Sequence, residues 1–294
     1  VIGTMNDTVP RGGVESTYND KLKGASGNSL MQKISGVFWV PVPDALNCEP
    51  VNGMDVMTTI DVSIQDVAEM TLRKQLEDCN AYWGTVILME VETGEIHAMA
   101  NLSRQSDGSY LDDYNHAIRT PCEPGSTFKL ATLLMLLEDG GMNINSTVDC
   151  RSNGELKALI GGRWVRDDHR GGIQTLKKTF EESSNIGFAR SAYDIYKDTP
   201  SRFVEYITDD LCFGEKTGID LPAERTPDIV HPSDKRRWHG HRIQMMAHGY
   251  ALEITAMQTL ALYNAVANNG RMMRPKIVKE VSSYGDTVQI YAPE

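Results

Sequence analysis

Ser126 and Lys129 stand three residues apart in EPGSTFK, immediately ahead of the apolar run Leu130 to Leu137. On a helix that spacing puts the hydroxyl and the amine on one face, within reach of each other. A serine hydroxyl is a weak nucleophile until a base takes its proton, and a lysine can be that base when burial disfavours its charged form. A helix start also gathers backbone N–H groups that favour negative charge developing near Ser126. Taken alone, S-x-x-K more often marks an N-cap serine with a solvent-facing lysine. Here the Pro124-Gly125 break before the serine, and the bulky uncharged helix after the lysine, argue that Lys129 is drawn inward. Downstream, Ser183 and Asn185 form S-x-N within ESSNIG. Both side chains point the same way if the segment is extended or sharply turned. A second hydroxyl could then relay a proton, and an amide could hold a substrate carbonyl or the lysine. Read separately, S-x-N is a polar kink in a helix; together the two motifs suit serine acyl transfer.

The elements that must position these groups are legible from periodicity. Ile64, Val67, Ala68, Thr71, Leu72, Leu76 and Cys79 recur at helical spacing, with Asp61 or Ser63 available as cap, which predicts a helix over 63–79. GTVILMEVETGEIHAMANL carries two β-rich apolar runs around Glu92-Thr93-Gly94 and predicts a hairpin. Both arms are almost continuously apolar, so the sheet is expected to be covered on both faces. The helix after Ser126 is apolar nearly all round, belongs in the core, and closes on Gly140 and Gly141. A third helix starts after the N-cap Thr175 and is re-aimed near Ser183 to Asn185; a fourth runs from Thr255 to Asn268 and stops at Asn269-Gly270. Residues 1–55 are rich in Gly, Pro and Asn, with strand-like pieces such as Gly36 to Val42.

Composition sets outer limits. The 294 residues, 40% hydrophobic and 23% charged, suit a folded globular chain with one large domain and an accessory piece, or two domains. A formal charge of −11 without a basic stripe argues against a nucleic-acid partner, because phosphate binding needs clustered Lys and Arg. Lys235-Arg236-Arg237 is short and reads as a solvated loop. Nothing approaches the roughly 20 apolar residues of a membrane span. Five scattered cysteines lack a C-x-x-C pair and read as partly buried thiols. Asp167, Asp168 and His169, and likewise His239 and His241, lack further ligands at metal-binding spacing, and no metal or cofactor is expected. Asp168 and His169 read as ordering a loop beside the cleft, and Met245, Met246, Met257, Met272 and Met273 as core packing.

EPGSTFK, with SSNIG downstream, resembles the first two signature motifs of the penicillin-binding protein and serine β-lactamase superfamily. TIDVSIQ followed by the hairpin resembles the beginning of a transpeptidase domain, and FGEKTGIDLPAE the loop after the second motif. ALEITAMQTLALYNAVANNGRMMRPKIVKE resembles the helix and strand before the third motif, and VESTYNDKLKGASG the end of the pedestal domain of class B members. The resemblance covers nearly the whole chain. It implies an α+β fold, a central, mainly antiparallel sheet flanked by helices with a helical subdomain, and a division into 1–55 (pedestal end and linker) and 56–294 (transpeptidase domain).

It also implies that Ser126 is the acylated nucleophile, Lys129 its general base, Ser183 a relay hydroxyl and Asn185 a substrate-facing amide. The implied substrate is a peptidoglycan stem peptide ending in D-Ala-D-Ala, with β-lactams as mimics. The implied partners are division or elongation membrane proteins, with a lean to division. The implied place is the periplasmic or outer face of the inner membrane, held by an anchor helix outside this sequence. The family's third motif, Lys-Thr/Ser-Gly on a strand lining the cleft, is expected after MMRPKIVKE, where the sequence stops at Glu294. An incomplete sheet and little turnover by this length of chain are therefore expected. Lys216-Thr217-Gly218 spells the motif but falls where the family has a loop, too soon after Asn185. Competing readings are a serine β-lactamase, disfavoured by the lack of E-x-x-L-N after the second motif, and a β-lactam sensor or catalytically silent scaffold.

Overall fold

The computed structural model describes residues 1–6, 9–34, 36, 38–42, 47–152 and 156–294. The chain opens with β1 (Thr4–Asn6), β2 (Val9–Arg11), α1 (Gly13–Thr17), α2 (Asn19–Leu22), β3 (Met31–Ile34), β4 (Phe38–Pro41) and β5 (Asp55–Thr58). Next come α3 (Val62–Cys79), β6 (Trp83–Met89), β7 (Ile96–Arg104), β8 (Tyr110–Leu111) and α4 (His116–Arg119). A 3₁₀ turn (Gly125–Phe128) leads into α5 (Lys129–Glu138), then β9 (Thr147–Asp149), β10 (Lys157–Ile160), β11 (Arg163–Arg166) and β12 (Ile173–Thr175). The rest is α6 (Leu176–Glu181), α7 (Asn185–Tyr196), α8 (Pro200–Glu205), a π turn (Tyr206–Asp210), α9 (Arg242–Met246), α10 (Ala256–Ala267), β13 (Val278–Ser283) and β14 (Asp286–Ile290).

The fold is α+β, as expected. Two antiparallel three-stranded sheets, ordered β6-β7-β8 and β14-β13-β5, meet where Glu95 bridges Lys276. The seam is reinforced from outside the strands. Asp220 accepts the N–H groups of Ile277 and Val278 at 2.7 and 2.8 Å, and Thr59 N–H donates to Ile277 O at 2.7 Å.

The expected helix over 63–79 is α3. Asp61 caps it by accepting from Ser63 and Ile64 N–H, and Asn80 ends it in the left-handed region. Its buried Leu72 and Leu76 pack on Ala100, Leu102 and Tyr110 of the sheet. The hairpin forms as expected, with Val86 opposite Ala100 and Ile87 opposite Met99. Its covering differs between the arms. β7 is buried along most of its length, but β6 keeps Leu88 45% and Trp83 37% exposed. Among the described residues β6 pairs with β7 alone, so one of its edges is open. An apolar groove lined by Thr85, Ile87, Ile254, Leu260 and Tyr263 runs beside it.

The helical part packs α5, α7, α8 and α9 around Phe128, Met135, Leu136, Phe188, Phe203 and Met246. α10 begins at Thr255 with a capping box to Gln258, and the chain turns away through left-handed Asn269 and Gly270.

In the N-terminal stretch, Val14 and Tyr18 are buried with Ile219, Leu221 and Ile277, and the Tyr18 hydroxyl donates to Asp220 at 3.2 Å. The strand expected within 36–42 is β4, paired with β3; Val37 lies outside the described residues. Two packing expectations need correction. Met272 is 38% exposed rather than core, although Met246, Met257 and Met273 are buried. Of the five cysteines, all free, only Cys150 is buried.

Candidate active site

Ser126 lies in the 3₁₀ turn rather than in the first turn of an α-helix, and α5 starts at Lys129. With three residues per turn, positions i and i+3 eclipse, so the tighter turn stacks the lysine beneath the serine. Lys129 Nζ sits 3.1 Å from Ser126 Oγ. The turn is braced from behind. Gly125 N–H donates to Gly249 O at 3.0 Å, and Thr132 Oγ1 donates to Ala247 O at 2.9 Å. Gly249 has φ +84°, and a Cβ there would stand 1.9 Å from Gly125 O, so only glycine lets the two backbones approach this closely. Phe128 anchors the turn in the core against Phe213.

Lys129 is 1% exposed, whereas the Ser126 and Ser183 side chains face solvent. Its Nζ also lies 2.9 Å from Ser183 Oγ, 2.5 Å from Ser183 O and 2.5 Å from Asn185 Oδ1. Burial pulls the amine down to about 8, against the opposing charges of Asp167 and Asp168. The amine therefore exchanges its proton near neutrality while touching both hydroxyls.

The S-x-N segment is a sharp turn. α6, capped by Thr175, ends at Glu181 with Glu182 as its C-cap; Ser183 is left-handed at φ +53°; Ser184 then caps α7 by accepting Gly187 N–H at 3.0 Å. That conformation aims Ser183 and Asn185 at the lysine, as the extended-or-turned condition required. Asn185 spends both ends of its amide inside the protein, Oδ1 on Lys129 and Nδ2 donating to Arg166 O at 2.9 Å.

Asp167, weighed in the sequence only as a metal ligand, is buried at 3% exposure beneath this turn. Its Oδ2 accepts from Ser184 Oγ at 2.6 Å, and its Oδ1 from the N–H groups of Asn185 at 2.6 Å and Ile186 at 3.1 Å. An acidic residue shortly upstream of an S-x-N helix start is the only sequence signal for it. His248, not singled out from the sequence, is buried, with Nδ1 2.7 Å from Met245 O. Burial, and to a lesser extent the Lys129 charge, push its imidazole down to about 4, so it is neutral at physiological pH.

Asp168 and His169 pair at 2.5 Å on the surface beside Asp167. The His239 and His241 rings stack with centroids 6.0 Å apart. Among the described residues, the acidic and histidine side chains close enough to share an ion are Glu90, Glu95 and His97, and Lys276 Nζ already stands 3.2 Å from Glu95. Lys216-Thr217-Gly218 is a loop, as expected, with Thr217 and Gly218 N–H groups donating to the Glu224 carboxylate.

Three comparisons extend this geometry. Penicillin-binding protein 3 of Mycobacterium tuberculosis, solved with ampicillin, superposes with a TM-score of 0.79 at 24% identity, covering 100% of this chain and 61% of that one. The fold is thus that of the penicillin-binding proteins. Penicillin-binding protein PbpB of Mycolicibacterium smegmatis is 27% identical over 287 residues, 94% of this chain and 42% of that protein. A probable peptidoglycan D,D-transpeptidase, PenA, of Neisseria meningitidis is 26% identical over 282 residues, 91% of this chain and 45% of that protein. Residues 84–292 match the penicillin binding protein transpeptidase domain, and the chain belongs to that family, as the class B resemblance implied. It spans less than half the length of these two relatives.

Proposed function

We propose that the protein containing this chain is a serine D,D-transpeptidase that cross-links peptidoglycan stem peptides and is acylated by β-lactams. One observation carries the reading: a buried amine, Lys129, within hydrogen-bond reach of two solvent-facing hydroxyls, Ser126 at 3.1 Å and Ser183 at 2.9 Å. Neutral Lys129 takes the Ser126 proton as Oγ attacks the carbonyl of the penultimate D-alanine. The proton passes through Ser183 to the departing D-alanine amine, leaving an ester on Ser126. An acceptor amine then attacks the ester and gives up a proton by the reverse path, which restores the hydroxyl. Asn185 holds the lysine in line, and the N–H groups around the 3₁₀ turn favour the oxyanion.

The open edge of β6 supports a sheet continued by further strands, with a Lys-Thr/Ser-Gly motif on one of them gripping the substrate carboxylate. On this reading residues 56–294 belong to the catalytic domain and 1–55 to the end of a pedestal. The setting is the outer face of a cytoplasmic membrane, with division or elongation proteins as partners. Among the described residues no helix is long and apolar enough to cross a membrane.

The test is intact mass of the whole protein after penicillin treatment. A stable adduct of one penicillin, absent from Ser126→Ala, is expected. No adduct on folded protein would favour the scaffold reading, and adduct turnover within seconds a β-lactamase.

A further inference from the structure

Asp167 lies beneath the turn that faces Lys129 across the cleft and bonds three successive residues of it. Its carboxylate is buried beneath the start of α7 and takes hydrogens from the Ser184 hydroxyl and from the backbones of Asn185 and Ile186. These bonds span the residues that follow left-handed Ser183, whose carbonyl and hydroxyl both meet the Lys129 amine. A non-glycine residue in that conformation is strained and persists only where its surroundings hold it.

The electrostatic setting of the amine is equally specific. Asp167 reaches it from the loop after β11, Asp168 from the same loop, and His248 from the segment after α9. His248 is neutral, and Asp168 is 94% exposed and paired with His169, so solvent weakens its field. Asp167 is the charge that solvent does not screen.

We propose that Asp167 is a positioning residue for acylation at Ser126: its buried carboxylate clamps the turn that presents Ser183 and Asn185 to Lys129, and its charge, linked to the amine through Asn185 rather than in contact with it, favours the ammonium form. The inference rests on the acyl-transfer reading above and adds a component to it. A carboxylate next to the amine favours the ammonium, so removing the charge frees the base form at lower pH.

Asp167→Asn separates charge from geometry. The amide oxygen can still accept from Asn185 and Ile186 N–H, and the amide NH₂ can donate to Ser184 Oγ, reversing one bond. The second-order rate of acylation by a fluorescent penicillin, measured on the whole protein across pH, is expected to keep its plateau within about threefold. Its acid limb is expected to move to lower pH by about half a unit or more. Asp167→Ala loses the clamp as well, and its plateau is expected to fall about tenfold or more. A clamp without an electrostatic role would leave the limb in place. An unmoved limb in Asp167→Asn, or failure of that isosteric variant to fold, overturns the inference while the acyl-transfer reading stands. A wild type that never labels overturns both.

Discussion

The Nζ of Lys129 lies 2.9 Å from the Oγ of Ser183, although 54 residues separate them in sequence. The same nitrogen lies 3.1 Å from Ser126 Oγ. One buried amine therefore bridges two solvent-facing hydroxyls, the arrangement on which the proposed acyl transfer rests. Burial disfavours the charged amine, so more of the neutral form exists near neutrality than on an exposed lysine.

Acylation is expected to follow the neutral form of Lys129. With the amine at about 8, only about a tenth of it is neutral at pH 7. The rate of penicillin acylation should rise about tenfold between pH 7 and the plateau, with its midpoint near the lysine value. Lys129→Arg should abolish acylation at every pH, because a guanidinium does not deprotonate. Stopped-flow acylation rates on the whole protein decide the matter, and a flat profile would remove lysine from the base role.

Ser183→Ala is expected to slow acylation by about 100-fold or more, since the proton from Ser126 loses its onward path. The Lys129 amine keeps its bonds to Ser183 O and Asn185 Oδ1, so the fold should hold. Labelling at the wild-type rate would show that the hydroxyl relays nothing.

Gly249→Ala should damage the site without touching a reactive group. The added Cβ meets Gly125 O at 1.9 Å in a left-handed conformation, and the strain of that conformation alone is about 1–2 kcal/mol. Either the segment after α9 or the turn carrying Ser126 must move. Paired thermal melts and acylation rates should show a lower Tm and slower labelling of the protein that remains folded; wild-type behaviour in both would mean the close approach is not needed.

Leu72→Ala tests the sheet against the site. Leu72 is buried between α3 and β7, beside Leu76 and Leu102, and truncation should cost about 2–5 kcal/mol. Denaturant unfolding reads the loss. Acylation of the folded fraction should stay near wild type, because this cluster holds none of the residues around Lys129.

Much was legible in one dimension because it depends on neighbours. The periodic face of α3, the Thr175 cap, the helix beginning near Thr255, the hairpin around Gly94 and the S-x-x-K spacing are all local patterns, read from a few consecutive residues. The resemblance of the motifs to the penicillin-binding proteins was likewise carried by short segments, and the family match follows them.

Tertiary packing decided the rest. The S-x-x-K spacing alone left Lys129 facing water or protein; the Pro-Gly break and the apolar helix pointed inward, and the packing of α5 against α7 and the segment after α9 is what buries it. That Asp167 accepts from the Asn185 and Ile186 N–H groups is likewise tertiary, since nothing in its immediate sequence directs it at α7. Covering was misjudged for β6, where Leu88 and Trp83 stay exposed, because an apolar strand reads the same whether or not another element packs on its face. Periodicity reports which way a side chain points from its own element; the partner waiting there is set by the chain's path through space.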